Sequence, residues 1–367
     1  MSTPLDRTET TVNRELLRRV ANTLPGLGYE TWNFGDSVAF EAMIQASLDL
    51  QDPSYLGFAR GWLRSWATRA QPYRRLDATA PGHSAVRIAR ATSDDRILTA
   101  LSGLAAYLVE RPTLGGAFET WSESPLMSPY GGHPLDPRGA RLLARPPAGV
   151  FIDCLHFDPP FLTALGVETQ SEELFVAGIE QALRYVELLQ TGHGLFDHFV
   201  LRDEPTTYGS GWGRGQGWAL LGLLDVIEEI GGSRAFTVPT QSDDLLAVAV
   251  NRLVAAMISF QRSDGHWDAV VSDPESGIES STAAFMSFGF RRVWGLGLRD
   301  DAELRDSERR AREAVTRSVD SEGRLRDVSA AVMACTEPSH YSHVPRGFVV
   351  PWGQGPAYLA LSGGFDD

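Results

Sequence analysis

Apolar residues recur three and four positions apart over most of this chain, the spacing of one buried helix face. The pattern predicts helices over 14–24, 38–50 and 55–68, with Asp52-Pro53 punctuating the gap between the last two. Further helices are predicted over 82–90, 94–109, 160–164, 172–190, 216–230, 243–260, 281–296, 302–318 and 355–361. The clearest is 172–190, where Leu174, Phe175, Ile179, Leu183, Val186 and Leu189 share one side and Gly192 stands where a C-terminal cap is expected. Strand alternation is scarce, with short candidates at 267–271 and 347–350. Roughly twelve helices joined by alternately short and long Gly-rich connections suggest antiparallel pairs repeated around an axis. The expected architecture is all-α, a closed (α/α)6 barrel of six helical hairpins; a right-handed solenoid would show repeats more alike than these. One segment breaks the rhythm: 122–149 is rich in Pro, Gly and Arg and reads as a long inserted loop. Nothing else resembles a linker, so residues 1–367 are expected to form one domain.

Composition narrows the partners. A formal net charge of −14 argues against a nucleic-acid or anionic-membrane surface. It also means that an anionic substrate needs local positive charge. The two cysteines, Cys154 and Cys335, make no CxxC pattern and sit in apolar sequence, as reduced buried thiols do. The first residues, MSTPLDRTETTVNRELL, lack the apolar stretch of a secretory signal, and no apolar run approaches membrane-spanning length. A cytoplasmic location is the expectation, and oligomeric state is left open.

The chemistry concentrates in loops. Asp153 lies within FIDCLHFDPPFLTALG, flanked by apolar residues. Desolvation there would raise its pKa, as a general acid requires, although a helix N-cap role is open to it as well. Asp77, in RRLDATAPGHSA, precedes a predicted helix and is either a cap or a partner carboxylate for Asp153, since paired carboxylates recur at glycosidic bonds. His198 follows GLFD in a loop beside aromatic residues and could bond sugar hydroxyls. In GWGRGQGWALLGLLDVIEEI, Arg214 stands at a helix start, where the macrodipole disfavours a cation. That mismatch suggests an anion-holding role, with the glycines admitting a ligand and Trp218 stacking on a sugar ring. Nine tryptophans are present, and Trp212, Trp267 and Trp352 sit in Gly-rich loops of the kind that line clefts. Arg138, Arg141 and Arg145 in the inserted loop could cover a cleft or be simply solvated. No HExxH, P-loop, strand-flanked GxGxxG or nucleophile elbow occurs, and the eight histidines show no metal-ligand spacing.

These segments together resemble the unsaturated glycuronyl hydrolases, glycoside hydrolase families 88 and 105, which include the unsaturated rhamnogalacturonyl hydrolases. FIDCLHFDPPFLTALG is similar to their W-x-D-x-x-x-x-x-x-P-F-L segment, GLFDHFVLRDE to G-L-[YF]-x-H-x-x-D-E, and WGRGQGW to W-G-R-G-N-G-W. DGHWDAVVSDPESGIESSTAAF and GQGPAYLAL match the later D-G-x-W…E-T-S-x-[ST]-A and G-x-G-x-x-L-A segments. The resemblance runs from about Thr31 to Ser362 and is strongest from Phe151 onward.

It implies an (α/α)6 barrel that removes a 4,5-unsaturated uronic acid from the non-reducing end of oligosaccharides left by a polysaccharide lyase. Asp153 would protonate the vinyl ether, Asp77 would be the second carboxylate, and His198, Arg214, Trp218, Trp212, Phe34 and Trp352 would bind substrate. Arg214 or the loop arginines would hold the uronate carboxylate. Neither metal nor organic cofactor is implied. The chain departs from the pattern at WNFGDS around Phe34, at GGAFE where the family has G-G-F-W-H, and in the inserted loop. Other readings are a lyase or ordinary glycosidase on the same barrel, or a non-catalytic sugar-binding protein.

Overall fold

The computed structural model describes residues 4–29, 34–69, 82–233 and 236–363. Within them the chain forms α1 (Pro4–Thr23), α2 (Asp36–Asp49), α3 (Ser54–Arg69), α4 (Gly82–Thr92), α5 (Asp95–Val109), α6 (Pro137–Ala144) and α7 (Asp153–Thr169). There follow α8 (Glu172–Leu189), α9 (Gly213–Gly232), α10 (Ser242–Ser259), α11 (Ser280–Gly295), α12 (Ala302–Ser318), α13 (Ser339–Ser342) and α14 (Pro351–Leu361). Alternate long helices close a ring: α2 packs on α4, α4 on α7, α7 on α9, α9 on α11, α11 on α14, and α14 back on α2. Around it stand α3, α5, α8, α10, α12 and α1, each against the ring helix next to it in the chain. This is the (α/α)6 barrel, with α6 and α13 as additions in its connections.

The two layers differ as their surroundings require. Ring helices are buried on every side: residues 213–226 of α9 and 351–360 of α14 are all enclosed. Outer helices bury one stripe, as α8 does through Phe175, Ile179, Ala182, Tyr185 and Leu189. Such tight rings need small residues at the crossings. A Cβ at Gly222 of α9 would lie 2.2 Å from the carbonyl oxygen of Leu155 in α7. Pro159 has no N–H to give that carbonyl, so the same turn that loses its intrahelical bond receives a neighbouring helix at closest approach.

Several expectations change. The helix expected at 160–164 starts at Asp153 and runs through Pro159 and Pro160, held by burial on all sides. The loop 122–149 contains α6, whose N-cap Asp136 accepts from the Gly139 N–H at 2.6 Å. Neither 267–271 nor 347–350 is a strand; only isolated bridges occur there, such as Trp212 with Val270. The strands are β1 (Thr113–Leu114), β2 (Ala117–Phe118), β3 (Gly149–Phe151), β4 (Phe199–Leu201) and β5 (Thr207–Tyr208), in two antiparallel sheets ordered β1-β2 and β3-β4-β5. Helix α8 ends on an extended Gln190, and Gly194, at φ 92°, makes the turn expected of Gly192.

Candidate active site

The connections from outer to inner helices are the long ones, and they gather at one end of the barrel. There the N-terminal ends of α2, α7, α9, α11 and α14 meet: Phe34 touches Trp352, Asp153 faces His198, and Arg214 reaches Glu279. The three-stranded sheet sets the central pair. Phe151 of β3 is opposite Phe199 of β4, and one residue outward the Ile152 N–H donates to the His198 carbonyl at 2.8 Å. Register therefore delivers Asp153 and His198 side by side. Asp153 Oδ2 lies 3.3 Å from His198 Nε2, and the opposite ring nitrogen, Nδ1, lies 2.7 Å from the Tyr341 hydroxyl.

Both groups open into a cleft of about 510 Å³ lined by Phe34, Trp121, Phe151, Trp212 and Met333 among others. Asp153 is 17% exposed there, less sealed than its apolar neighbours suggested, while His198 is almost fully enclosed. Asp153 is the first residue of α7 and caps nothing; the N-cap is Ile152. Ring-helix N-termini point their positive ends at this cleft, which favours an anion in a chain of net negative charge.

The expected site residues divide into two layers. Phe34, Asp153, His198 and Trp212 line the cleft. Trp218, Arg214 and Trp352 lie beneath it. Trp218 is fully buried against Phe34, His156, Phe157 and Phe285, so its face is taken by protein. Trp352 is buried too, its Nε1–H donating to the Ser329 carbonyl at 3.0 Å.

Arg214, expected to hold an anion, is enclosed in the same way. Its side chain is 0% exposed, and its terminal nitrogens donate to Ser329 Oγ at 2.6 Å, to the Ala330 carbonyl at 2.8 Å and to Glu279 at 3.3 Å. Nor do the flanking glycines admit a ligand. Added Cβ atoms at Gly213, Gly215 and Gly217 would lie 2.5–2.7 Å from Thr282, Trp212 and Phe285, so these positions make room for protein side chains. Among the loop arginines, Arg138 pairs with Glu204, and Arg141 and Arg145 are exposed away from the cleft lining. Asp77 lies outside the described residues. Sequence reasoning missed Trp121, Met333, Tyr341 and Glu279. Only Glu279 carried a readable sign, as the acid before Ser-Ser-Thr at a helix start.

Under the cleft floor, five ring helices contribute charge to the barrel axis. Arg292 meets Asp225 at 2.6 Å, Arg87 meets Glu41 at 3.0 Å, and His83 and His156 stand 3.6 and 3.7 Å from Asp225. Burial pulls His156 down to about 4, against the attraction of Asp225. His156 therefore stays neutral in the folded chain where the unfolded chain takes up a proton. The sign follows: its contribution is complete above pH 6.5 and is lost as pH falls toward 4. His83, raised chiefly by Asp225 against its burial, acts above that window instead. The unfolding free energy is expected to fall as pH drops from 6.5 to 4, by up to about 1.4 kcal/mol per pH unit from this histidine. Denaturant titrations of the protein and of His156→Gln measure it; equal slopes would remove His156 as the cause.

Among the described residues no group of three or more His, Cys, Asp or Glu could hold a metal ion, and no helix is long and apolar enough to cross a membrane. An aromatic-walled cleft over a carboxylate–imidazole pair, at the N-terminal end of a helical barrel, defines a carbohydrate-active enzyme. The chain belongs to Glycosyl Hydrolase Family 88, whose profile matches residues 13–363. It is 21% identical over 334 residues to the unsaturated rhamnogalacturonyl hydrolase YesR of Bacillus subtilis (strain 168), covering 90% of this chain and 89% of that protein. Its fold is similar to that of a possible member of the GH105 family from Salmonella enterica, with a TM-score of 0.80 at 18% identity over 95% of this chain and 92% of the other. It is similar also to the unsaturated glucuronyl hydrolase of Bacillus sp. GL1, with a TM-score of 0.69 at 18% identity over 94% of each chain.

Proposed function

We propose that this chain removes a 4,5-unsaturated uronic acid from the non-reducing end of lyase-generated oligosaccharides, with Asp153 as the proton donor. The observation that carries the reading is the Asp153–His198 pair, 3.3 Å apart in a cleft walled by aromatic rings. Protonated Asp153 gives its proton to C4 of the vinyl ether, and the positive charge at C5 is shared with the ring oxygen. The resulting carboxylate takes a proton from water as the water oxygen bonds to C5, giving a hemiketal. The hemiketal opens, and the leaving sugar departs from C1 as its alcohol. Chemistry of this kind makes no displacement at the anomeric carbon, so it needs no second carboxylate at a fixed separation. Asp77 is proposed as a supporting acid, on the resemblance of LDATAPG alone.

The ring-helix N-termini, and not an exposed arginine among the described lining residues, supply the positive potential that meets the uronate carboxylate. Aromatic surfaces of Trp121 and Phe34 supply contact for the pyranose, while Trp212 lines the cleft at 3% exposed. One catalytic domain is proposed, supported by a main core cluster that runs from Leu17 to Ala360. The free, buried cysteines fit a reducing compartment such as the cytoplasm.

Incubation with a panel of unsaturated disaccharides tests the activity. Loss of the ultraviolet absorbance of the conjugated double bond is expected with at least one of them. Release of the second sugar without that loss would overturn the mechanism.

A further inference from the structure

Tyr341 was not among the residues that the sequence singled out, yet its hydroxyl makes the shortest polar contact of the central pair. It is carried by α13, four residues in the long connection that leads to α14. The neighbouring residue fixes that turn. His340 Nε2 lies 3.0 Å from the Met333 carbonyl, its Nδ1 accepts from the Tyr130 N–H at 3.2 Å, and its ring stacks on Tyr130 at 4.9 Å. Tyr341 itself is 2% exposed. Space for its contact with His198 is left by Gly209, at φ 72°. A Cβ there would fall 2.5 Å from the Tyr341 hydroxyl and 2.6 Å from the His198 Cβ.

The direction of the hydrogen bond follows from the burial of the phenol. At 2% exposure the hydroxyl cannot turn its proton to water, and a buried O–H left without an acceptor is costly. Burial also holds that proton on the phenol oxygen. Among the described residues the hydroxyl has one side-chain hydrogen-bond partner, His198 Nδ1 at 2.7 Å, so the proton goes there. A neutral imidazole that accepts at Nδ1 carries its hydrogen on Nε2, and Nε2 is the atom facing Asp153.

We propose that Tyr341 is a positioning residue that fixes the Nε2–H tautomer of His198, so that His198 donates to Asp153 Oδ2 and leaves Oδ1 for the substrate. In the opposite tautomer, the Nε2 lone pair would face the carboxylate that remains when Asp153 has given up its proton. The repulsion would fall at the moment when negative charge appears on Asp153. Tyr341 acts only through His198. The catalytic consequence rests on the reading of Asp153 as proton donor; the tautomer itself does not.

The test uses the full chain labelled with 15N in its histidines, with His198→Gln to identify the His198 signals. The His198 shifts of the unmodified protein are expected to report hydrogen on Nε2 and none on Nδ1. In Tyr341→Phe, which keeps the ring, they are expected to move toward a mixture of both tautomers. Its kcat on an unsaturated disaccharide is expected to fall about tenfold with KM within about twofold, since only the orientation of a proton is lost. Hydrogen on Nδ1 in the unmodified protein would overturn the proposal before any variant is made. So would unchanged His198 shifts in Tyr341→Phe. Expected shifts together with no activity on any unsaturated sugar would leave the tautomer assignment standing and defeat the proposed reaction alone.

Discussion

Asp153→Asn is expected to lower kcat by about 10³-fold while the protein still binds unsaturated disaccharide with an affinity within a few-fold. Asparagine matches the size of aspartate, and its amide oxygen can accept from His198 Nε2 as the carboxylate does, so the cleft keeps its shape. What it lacks is an acidic proton, and carbon protonation of the vinyl ether has no other donor among the described lining residues with comparable placement. Histidine 198 is turned away from that role by its two contacts, with Asp153 and Tyr341. The stability effect runs in a predictable direction and is small. A carboxylate in the first turn of α7 gains roughly 0.5 kcal/mol from the helix dipole, and the variant gives that up. Initial rates from the loss of double-bond absorbance give kcat, and quenching of tryptophan fluorescence gives binding, because Trp121 and Trp212 line the cleft. A variant retaining a tenth of the parent rate would remove Asp153 as the proton donor.

How far this could be read from sequence depends on which physical signal each feature carries. Helical period locates the barrel well because amphipathic outer helices such as α8 and α12 must bury one stripe. It dates the ring helices less well, since a helix buried all round has no stripe to read. Helix α7 shows the difference: the Pro159-Pro160 pair reads as a break, yet closed packing carries the helix through it. Asp153 and His198 were legible because each stands in a short motif with unusual neighbours. Tyr341 was not, because its role comes from a contact 143 residues distant that no local pattern announces.

Arginine 214 shows how one local signal admits a second reading. A cation at a helix N-terminus does conflict with the dipole, but the conflict is settled inside the protein, by a buried acid at the start of the next ring helix.

That acid, Glu279, gives the second large expected effect. Its oxygens cap α11 by accepting from the Thr282 N–H at 3.0 Å, and they also accept from Ser281 Oγ, Thr282 Oγ1 and the Ser329 N–H. Arg214 adds the one positive partner among the described residues, and between them the pair ties the N-terminal ends of α9 and α11 to the 329–330 segment that runs into the cleft wall. Arg214→Met keeps the bulk and removes the charge. It leaves a carboxylate that is 2% exposed without its cation, and the expected loss is about 3–5 kcal/mol. Glu279→Gln added to that variant relieves the orphaned charge and is expected to recover part of the loss, although the glutamine amide cannot accept all the bonds that two carboxylate oxygens hold. Chemical denaturation of the single and double variants measures the coupling. The pattern separates the two roles for this arginine. Lost stability with partial recovery in the double variant is what a strut requires. An Arg214→Met protein as stable as the parent, but with KM raised tenfold or more, would mean that the guanidinium meets the uronate carboxylate after all.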